Sequence, residues 1–518
     1  MNQGASPVLA QMLNRVGDDA GYRRWSAQVE RAGFCVRPVR LAGSVARVDA
    51  ATGEVDATYS TAGEPNGTLL VACKDRRESV CPPCAARYRA DAWHVFASGL
   101  AGRDGHHEEG GHSSPVGVPG AGVVPATVGN HPAVLATFTA PSFGRVHAFR
   151  GGGVCRPWPR RRGRRDAALC PHGKPRGCGL RHGPDDGLIG APLCDECADL
   201  AGMVLWNAHA GELWRRTVIY VYRALAALCP AIGGRAVTVR GVRALLRVSY
   251  VKVAEFQRRG VVHLHVIARL DGVDGDDPER IVAPPAWAGV DLLAAAIAQA
   301  GARVRVPLPD IDGVARVARW GEQLDVRPIN QSGSGSGSGS GARGPVARLA
   351  GYLAKYATKT LGDAMSGLPA SRGRGERLVP GESDAVPGHV RALVETVRAL
   401  ARHPACRGLR LARHVHTLGF AGHVTSKSRR YSVTFAVLRA ARRAWRIATG
   451  AADRDGPDPW AAHDEHDGDG DGGGSWVVAG HWRMVGLGYA TFGDAALAGS
   501  LGRQHRAARA AARLGLIE

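Results

Sequence analysis

Two histidines one residue apart, His263 and His265 in VVHLHVIARL (261–270), are the first candidates for chemistry in this 518-residue chain. On a β-strand such a pair projects from one face, at a spacing that lets both imidazoles share one cation. The preceding run LLRVSYVKVAEF (245–256) is also β-prone, and the turn-like Gln257-Arg258-Arg259-Gly260 between the two predicts a hairpin. A three-residue loop of Arg258, Arg259 and Gly260, with the glycine left-handed, puts Glu255 opposite His263 and on the same face. Two imidazoles and a carboxylate with open positions suit Mg²⁺ or Mn²⁺ engaged with a phosphate.

PVARLAGYLAKYATKTL (345–361) reads as a helix with Pro345 in its first turn. Tyr352 and Tyr356, four residues apart, share a face bordered by the apolar stripe Val346, Leu349, Leu353 and Leu361. Lys355 and Lys359 fall just beyond them. The chain uses arginine almost everywhere and has only six lysines, yet two lie here and Lys252 lies in the histidine hairpin. Lysine kept where arginine is habitual points to a specific role, and Lys355 is the first candidate for one beside the phenols. Taken alone, the histidines read equally as core or surface residues and the helix as an ordinary amphipathic one; Glu255 and the lysines favour chemistry. A phenolate beside a metal can attack a DNA phosphodiester, storing the bond energy in a phosphotyrosine and freeing a 3′-hydroxyl.

Eleven cysteines fall in tight groups, a pattern that suggests metal ligation. Cys170, Cys178, Cys194 and Cys197 include a Cys-x2-Cys pair and are read as a structural zinc site, with His172 and His182 as competing ligands. Cys73, Cys81 and Cys84, with Cys35 as a fourth, form a candidate second zinc site whose alternative is buried apolar cysteine.

These residues sit in a chain expected to hold several modules. Residues 1–101 read as a cysteine-containing module with a helix over 84–100, and residues 102–130 as a loose linker. Residues 131–361 carry the chemistry. VLATFTA (134–140) and QLDVRPI (323–329) are further strands, 206–228 is helical, and an aperiodic insertion at about 155–200 holds cysteines. The repeat SGSGSGSGSG (332–341) is a flexible tether. Residues 362–518 read as a basic, mainly helical DNA-binding region, with Lys427, Arg429 and Arg430 as phosphate contacts and an acidic Gly-rich loop at 463–474. Lys plus Arg exceed Asp plus Glu by 67 to 46, giving a formal net charge of +21 that attracts nucleic acid. No apolar run is long enough to span a membrane and no signal peptide opens the chain, so a cytoplasmic protein without a membrane partner is expected.

In order, VLATFTAP, VVHLHVIARL, WGEQLDVRPI and YLAKYATK resemble the motifs of HUH endonucleases and, more closely, of replication initiators from actinomycete rolling-circle plasmids and integrative conjugative elements. The resemblance extends to CKDRRESVCPPCAARYRAD, CPHGKPRGCGLRH to PLCDEC, LWNAHAGELW and GFAGHVTSKSRRYSVTF, and so covers most of the chain. It implies an α+β fold: a five-stranded antiparallel sheet with flanking helices, the histidines on its central strand and the tyrosine helix packed against it. By position, His263 and His265 match the metal pair and Tyr352/Tyr356 the nucleophile motif, while Glu255 is a weaker match because third ligands vary. The Ser-Gly repeat departs from the pattern. The implied activity is site-specific nicking and strand transfer at a replication origin through a 5′-phosphotyrosine, with a host helicase and polymerase as partners. Alternatives are a conjugative relaxase, a single-strand transposase, or a non-enzymatic zinc-containing DNA-binding regulator. No G-x-x-x-x-G-K-[ST] loop of a helicase-bearing relaxase is present.

Overall fold

The computed structural model describes residues 6–50, 52–102, 124–157, 169–231, 235–329, 344–359, 387–448 and 476–513. The Ser-Gly tether, most of the expected linker and the acidic loop lie outside these residues. The chain divides into two compact units. One holds the described residues up to Arg89 and from Ala436 onward, the other those between Ala90 and Phe435, so the expected C-terminal module is shared between them.

The first unit contains α1 (Pro7–Gly17), α2 (Asp19–Arg31), β1 (Val39–Asp49), β2 (Val55–Ser60), β3 (Leu69–Val71) and the start of α3 (Pro82–Ala101). β1 pairs with β2 and β3 on one side and with β12 (Trp476–Leu487) on the other, all antiparallel. Trp25 and Val29 of α2 pack with Leu70, Ala498 and three cysteines, Cys35, Cys81 and Cys84, in a small core. α10 (Phe492–Arg513) meets α1 through the Arg15–Asp494 ion pair at 2.7 Å.

The second unit is built on an antiparallel sheet. Its strands are β4 (Ala133–Phe138), β5 (Leu246–Phe256), β6 (Val262–Val273), β10 (Leu324–Pro328) and β11 (Thr425–Lys427), in the order β10-β4-β6-β5-β11, with the short β7 (Ile281–Val282) paired to the end of β6. β6 is thus the central strand, as the resemblance implies. A separate two-stranded ribbon joins β8 (Val306–Pro307) and β9 (Val317–Ala318). The mixture of helices with antiparallel sheets is an α+β architecture.

Alternation along the strands gives the sheet two unlike faces. One face, Val134, Ala136 and Phe138 of β4 with Leu264, Val266, Ala268 and Leu270 of β6, is apolar and fully buried. It belongs to the main core together with Trp206, Leu213 and Leu225 of α4 (Leu200–Leu228), Val242 of α5 (Val239–Leu245), Leu293 and Ile297 of α6 (Val290–Arg303), and Val390 and Val397 of α8 (Gly388–Arg402). A fully buried side chain of this size stabilises the fold by about 1.5–3 kcal/mol. The other face carries Thr137, His263, His265, Ile267, Arg269 and Asp271, opposed by Ser249, Val251, Val253 and Glu255. α7 (Pro345–Thr358) packs on this face against β5 through its buried stripe Ala350, Leu353, Ala354 and Ala357. Trp93 of α3 donates to the Ala347 carbonyl at 3.2 Å, tying the two helices together. α9 (Phe435–Ala448) belongs, apart from Phe435, to the first unit.

The end of that face away from the hairpin turn is held by a buried polar network. Arg269 and Asp271 are fully buried, joined in a two-pronged ion pair at 2.7 and 2.9 Å. Asp271 also accepts from Ser249 at 2.6 Å and lies 2.7 Å from His131, while Arg269 donates to the carbonyls of Gly99 and Tyr431. The guanidinium thereby fastens the end of α3 and the segment after β11 to the sheet. Among the described residues no helix is long and apolar enough to cross a membrane.

Candidate active site

The β5–β6 hairpin closes as its sequence requires. Gln257 and Val261 are bonded across the turn at 2.9 Å, Gly260 takes φ +89°, a conformation costly for any residue with a Cβ, and Glu255 pairs with His263. Three neighbours fix the turn. Asn207 of α4, buried in the main core, donates to the Gly260 carbonyl at 2.8 Å and accepts from the Val262 amide at 3.1 Å. Arg259 donates to the carbonyls of Ala140 and Pro141, and His389 reaches the Arg258 carbonyl at 3.1 Å.

Glu255 Oε2 lies 2.7 Å from His263 Nε2 and 3.0 Å from His265 Nε2. Each residue offers one ligand atom, and all three atoms fall within 4.8 Å of one another. Metal–ligand bonds of about 2.1 Å in octahedral geometry give neighbouring donors about 3.0 Å apart, so the set fits a small divalent cation. Burial alone would raise the Glu255 pKa, but hydrogen bonds from both histidines and their charge outweigh it and hold the carboxyl at about 2. Burial, reinforced by the His263 charge, pushes His265 below the usual histidine range, which keeps it in its ligating form. With Nε2 turned to Glu255, His265 presents Nδ1 to Thr137 Oγ1 at 3.3 Å, a contact that orients the ring.

Both tyrosines reach this point. The Tyr356 ring stacks on His265 with centroids 5.1 Å apart, Tyr352 meets His265 edge-on at 5.6 Å, and the two phenol rings are 4.8 Å apart. Tyr352 is 43% exposed; Tyr356 is half-buried, and its pKa is raised by burial, by its hydrogen bond with Tyr352 and by the Glu255 charge. The lysine that joins them is Lys359, whose ammonium lies 4.7 Å from the Tyr356 ring centroid and 3.7 Å from Glu255. Lys355 lies exposed one turn earlier. Lys252 is on the opposite face of the sheet from Glu255: its parity on β5 turns it toward the main core, where its ammonium donates to the His423 carbonyl at 3.2 Å and burial lowers its pKa to about 8. Its place in the hairpin therefore does not bring it to the metal face.

Nine of the eleven cysteines assemble into three groups of metal-ligand geometry. Cys35, Cys73, Cys81 and Cys84 come together as a complete set of four, with Cys35–Cys81 and Cys73–Cys84 sulfurs each 3.7 Å apart. The insertion sorts differently from the expected Cys170, Cys178, Cys194, Cys197 set. Cys170, Cys194 and Cys197 are joined by His172, whereas Cys178 lies with Cys155, His147 and His182. The backbone explains the exchange, because Cys178 is bridged to Arg156 and is thereby drawn to the neighbouring Cys155. Of the expected phosphate contacts, Lys427 is committed to the carbonyls of Ser428, Arg429 and Ser432, and Arg430 is largely covered and paired with Glu279. Arg429 alone of the three presents a mostly exposed guanidinium, 3.7 Å from Glu279.

Thr137, Asn207, His147 and Cys155 carry parts of these sites that sequence spacing did not single out. Asn207 lies inside the quoted segment LWNAHAGELW, where a lone amide on an otherwise apolar helix face is the one available signal.

The family described as "Replication initiator protein, pSAM2" matches residues 21–503. A replication initiator protein of Streptomyces ambofaciens is 39% identical over 511 residues, covering 98% of this chain and 95% of that protein. No solved structure matches the chain. The reach of both matches, across the hairpin, the tyrosine helix and every cysteine group, means that the chain belongs to the replication initiator family of pSAM2.

Proposed function

We propose that the chain is an HUH-type, metal-dependent endonuclease and strand transferase that nicks one DNA strand at the replication origin of a plasmid or integrative element. The observation that carries this reading is the convergence of two phenols on Glu255, His263 and His265. Mg²⁺ or Mn²⁺ held by those three would polarise the phosphoryl oxygens and stabilise charge in the transition state. The phenol oxygen of Tyr352 or Tyr356 forms the new bond to phosphorus and gives up its proton; the phosphorus–O3′ bond breaks, and the departing oxygen leaves as a 3′-hydroxyl for a host polymerase. Exposure favours Tyr352 as the phenol that meets the incoming strand, with Tyr356 available for a second transfer that releases the displaced strand. Lys359 is placed to stabilise charge beside Tyr356, a role assigned to it in preference to Lys355.

Duplex contact draws on the arginine excess, Arg429 included, and unwinding on a host helicase in the cytoplasm. Zinc on Cys35, Cys73, Cys81 and Cys84, and on Cys170, His172, Cys194 and Cys197, would brace segments that have little core of their own. The test is incubation with supercoiled plasmid carrying the element's own origin, followed by mapping of the nick and of the attached peptide. A nick with DNA linked through its 5′ phosphate to Tyr352 or Tyr356 is expected. Origin binding without any nick would leave a non-enzymatic DNA-binding regulator.

A further inference from the structure

Beyond the nicking site, the insertion has a buried cluster whose donors come from four points in the chain. We propose that His147, Cys155, Cys178 and His182 hold a zinc ion of their own, and that with the neighbouring site this makes the described stretches 145–157 and 169–197 a cross-braced two-metal unit. The ligands run along the sequence in pairs: His147/Cys155, Cys170/His172, Cys178/His182 and Cys194/Cys197. The first pair meets the third, and the second meets the fourth. Each ion therefore joins stretches of chain on either side of a ligand pair that serves the other, so loss of one ion loosens the stretches that position the other.

The distances fit. Zinc bonds of about 2.3 Å to sulfur and about 2.0 Å to nitrogen define a tetrahedron with edges of about 3.5 Å between S and N and about 3.3 Å between two N atoms. His147 Nδ1 and His182 Nε2 are 3.1 Å apart, Cys155 Sγ is 3.8 Å from His147 Nδ1, and Cys178 Sγ is 3.7 Å from His182 Nε2. A hydrogen-bonded histidine pair would account for two of these side chains, whereas zinc accounts for all four.

The supporting shell is also built. His182 turns its other nitrogen to Asp186 at 2.6 Å, and Asp186 is itself fixed by the Leu188 amide at 2.9 Å. That carboxylate sets the tautomer that leaves Nε2 as a donor. The Ala148 amide points at Cys155 Sγ at 3.2 Å. Burial is inverted relative to an ordinary module: Phe149, Leu169, Leu180 and Leu188 are exposed, while Cys155, Cys178 and His182 are covered. A segment that buries its sulfurs and imidazole in place of its large apolar side chains is held by something those atoms bind.

Full-length protein loaded with ¹¹³Cd tests the assignment, because the resonance moves with the number of thiolate ligands. Three thiolate-bearing resonances are expected, from sites with four, three and two sulfurs, at three ions per chain apart from any ion on Glu255, His263 and His265. Cys178→Ala should abolish the two-sulfur resonance and weaken binding at the three-sulfur site through the shared brace, leaving the four-sulfur site intact. Where that variant fails to fold, alkylation of the wild-type zinc-loaded chain replaces it, with Cys155 and Cys178 protected until a chelator is added. A wild-type spectrum without the two-sulfur resonance, or equal labelling of Cys155 and Cys178 with and without chelator, overturns the proposal.

Discussion

Thr137→Val isolates the hydrogen bond that orients His265. Valine matches threonine in shape and keeps the β-branched preference for a strand, so the β4–β6 pairing is retained while the 3.3 Å contact to His265 Nδ1 is lost. His265 is 4% exposed, so no bulk water replaces the missing acceptor. Leaving a buried donor unsatisfied costs about 1–3 kcal/mol. At about 1.4 kcal/mol per tenfold, metal affinity should fall between about 5-fold and about 140-fold. The bond is long, which places the effect toward the lower end, about tenfold, within the range typical for loss of a metal ligand's supporting partner. Mn²⁺ titration followed by electron paramagnetic resonance of the free ion measures it, with Thr137→Ser as the control that keeps the hydroxyl. The metal concentration for half-maximal nicking should shift by the same factor with little change at saturation. If valine and serine variants bind Mn²⁺ within twofold of each other, Thr137 does not orient the ligand.

Asp271→Ala should lower stability by about 3–5 kcal/mol, seen as a lower urea midpoint, because it strands the buried Arg269 guanidinium; a loss under 1 kcal/mol would contradict the role given to this network. Mn²⁺ affinity should be flat from about pH 8 to 7 and fall below about pH 6: the histidines ligate only when neutral, His265 is shifted downward, and Glu255, at about 2, stays ionised throughout. Affinity unchanged down to about pH 5 would remove the histidines from the ligand set. The Tyr352→Phe/Tyr356→Phe double variant should bind origin DNA without nicking or cross-linking, while each single variant keeps some cleavage; an adduct at any third residue in the wild type reassigns the nucleophile.

The hairpin was legible because its signals are local. Period-2 alternation, a short turn and a glycine at its end determine register, and register alone places Glu255 across from His263. The tyrosine helix was legible for the same reason, although its observed end at Thr358 falls short of residue 361. What the chain hides is pairing over distance. β1 and β12 are separated by more than four hundred residues, and β12 follows a Gly-rich stretch in a region read as helical. α6 is alanine-rich, with a modest apolar stripe that passes unnoticed until it packs on α4 and β4. The lysine assignment turned on one turn of helix: spacing places both Lys355 and Lys359 near the phenols, and only packing against β5 selects Lys359. The partition of the insertion's ligands likewise depends on backbone bridges that no Cys spacing encodes.

The turn at Gln257–Val261 sets a limit on how this protein can be altered. It is gripped at Gly260 and Val262 by Asn207, at Arg259 by its bonds to the carbonyls of Ala140 and Pro141, and at Arg258 by Gly190, whose φ of +93° brings it so near that an added Cβ would lie 2.5 Å from the Arg258 carbonyl. Adding or deleting one residue there shifts the strand register, and a one-residue slip exchanges the two faces of β6. The imidazoles would enter the main core, and Leu264 and Val266 would surface beside the phenols. Length at this turn is therefore more constrained than composition, and fused domains or affinity tags belong elsewhere in the chain.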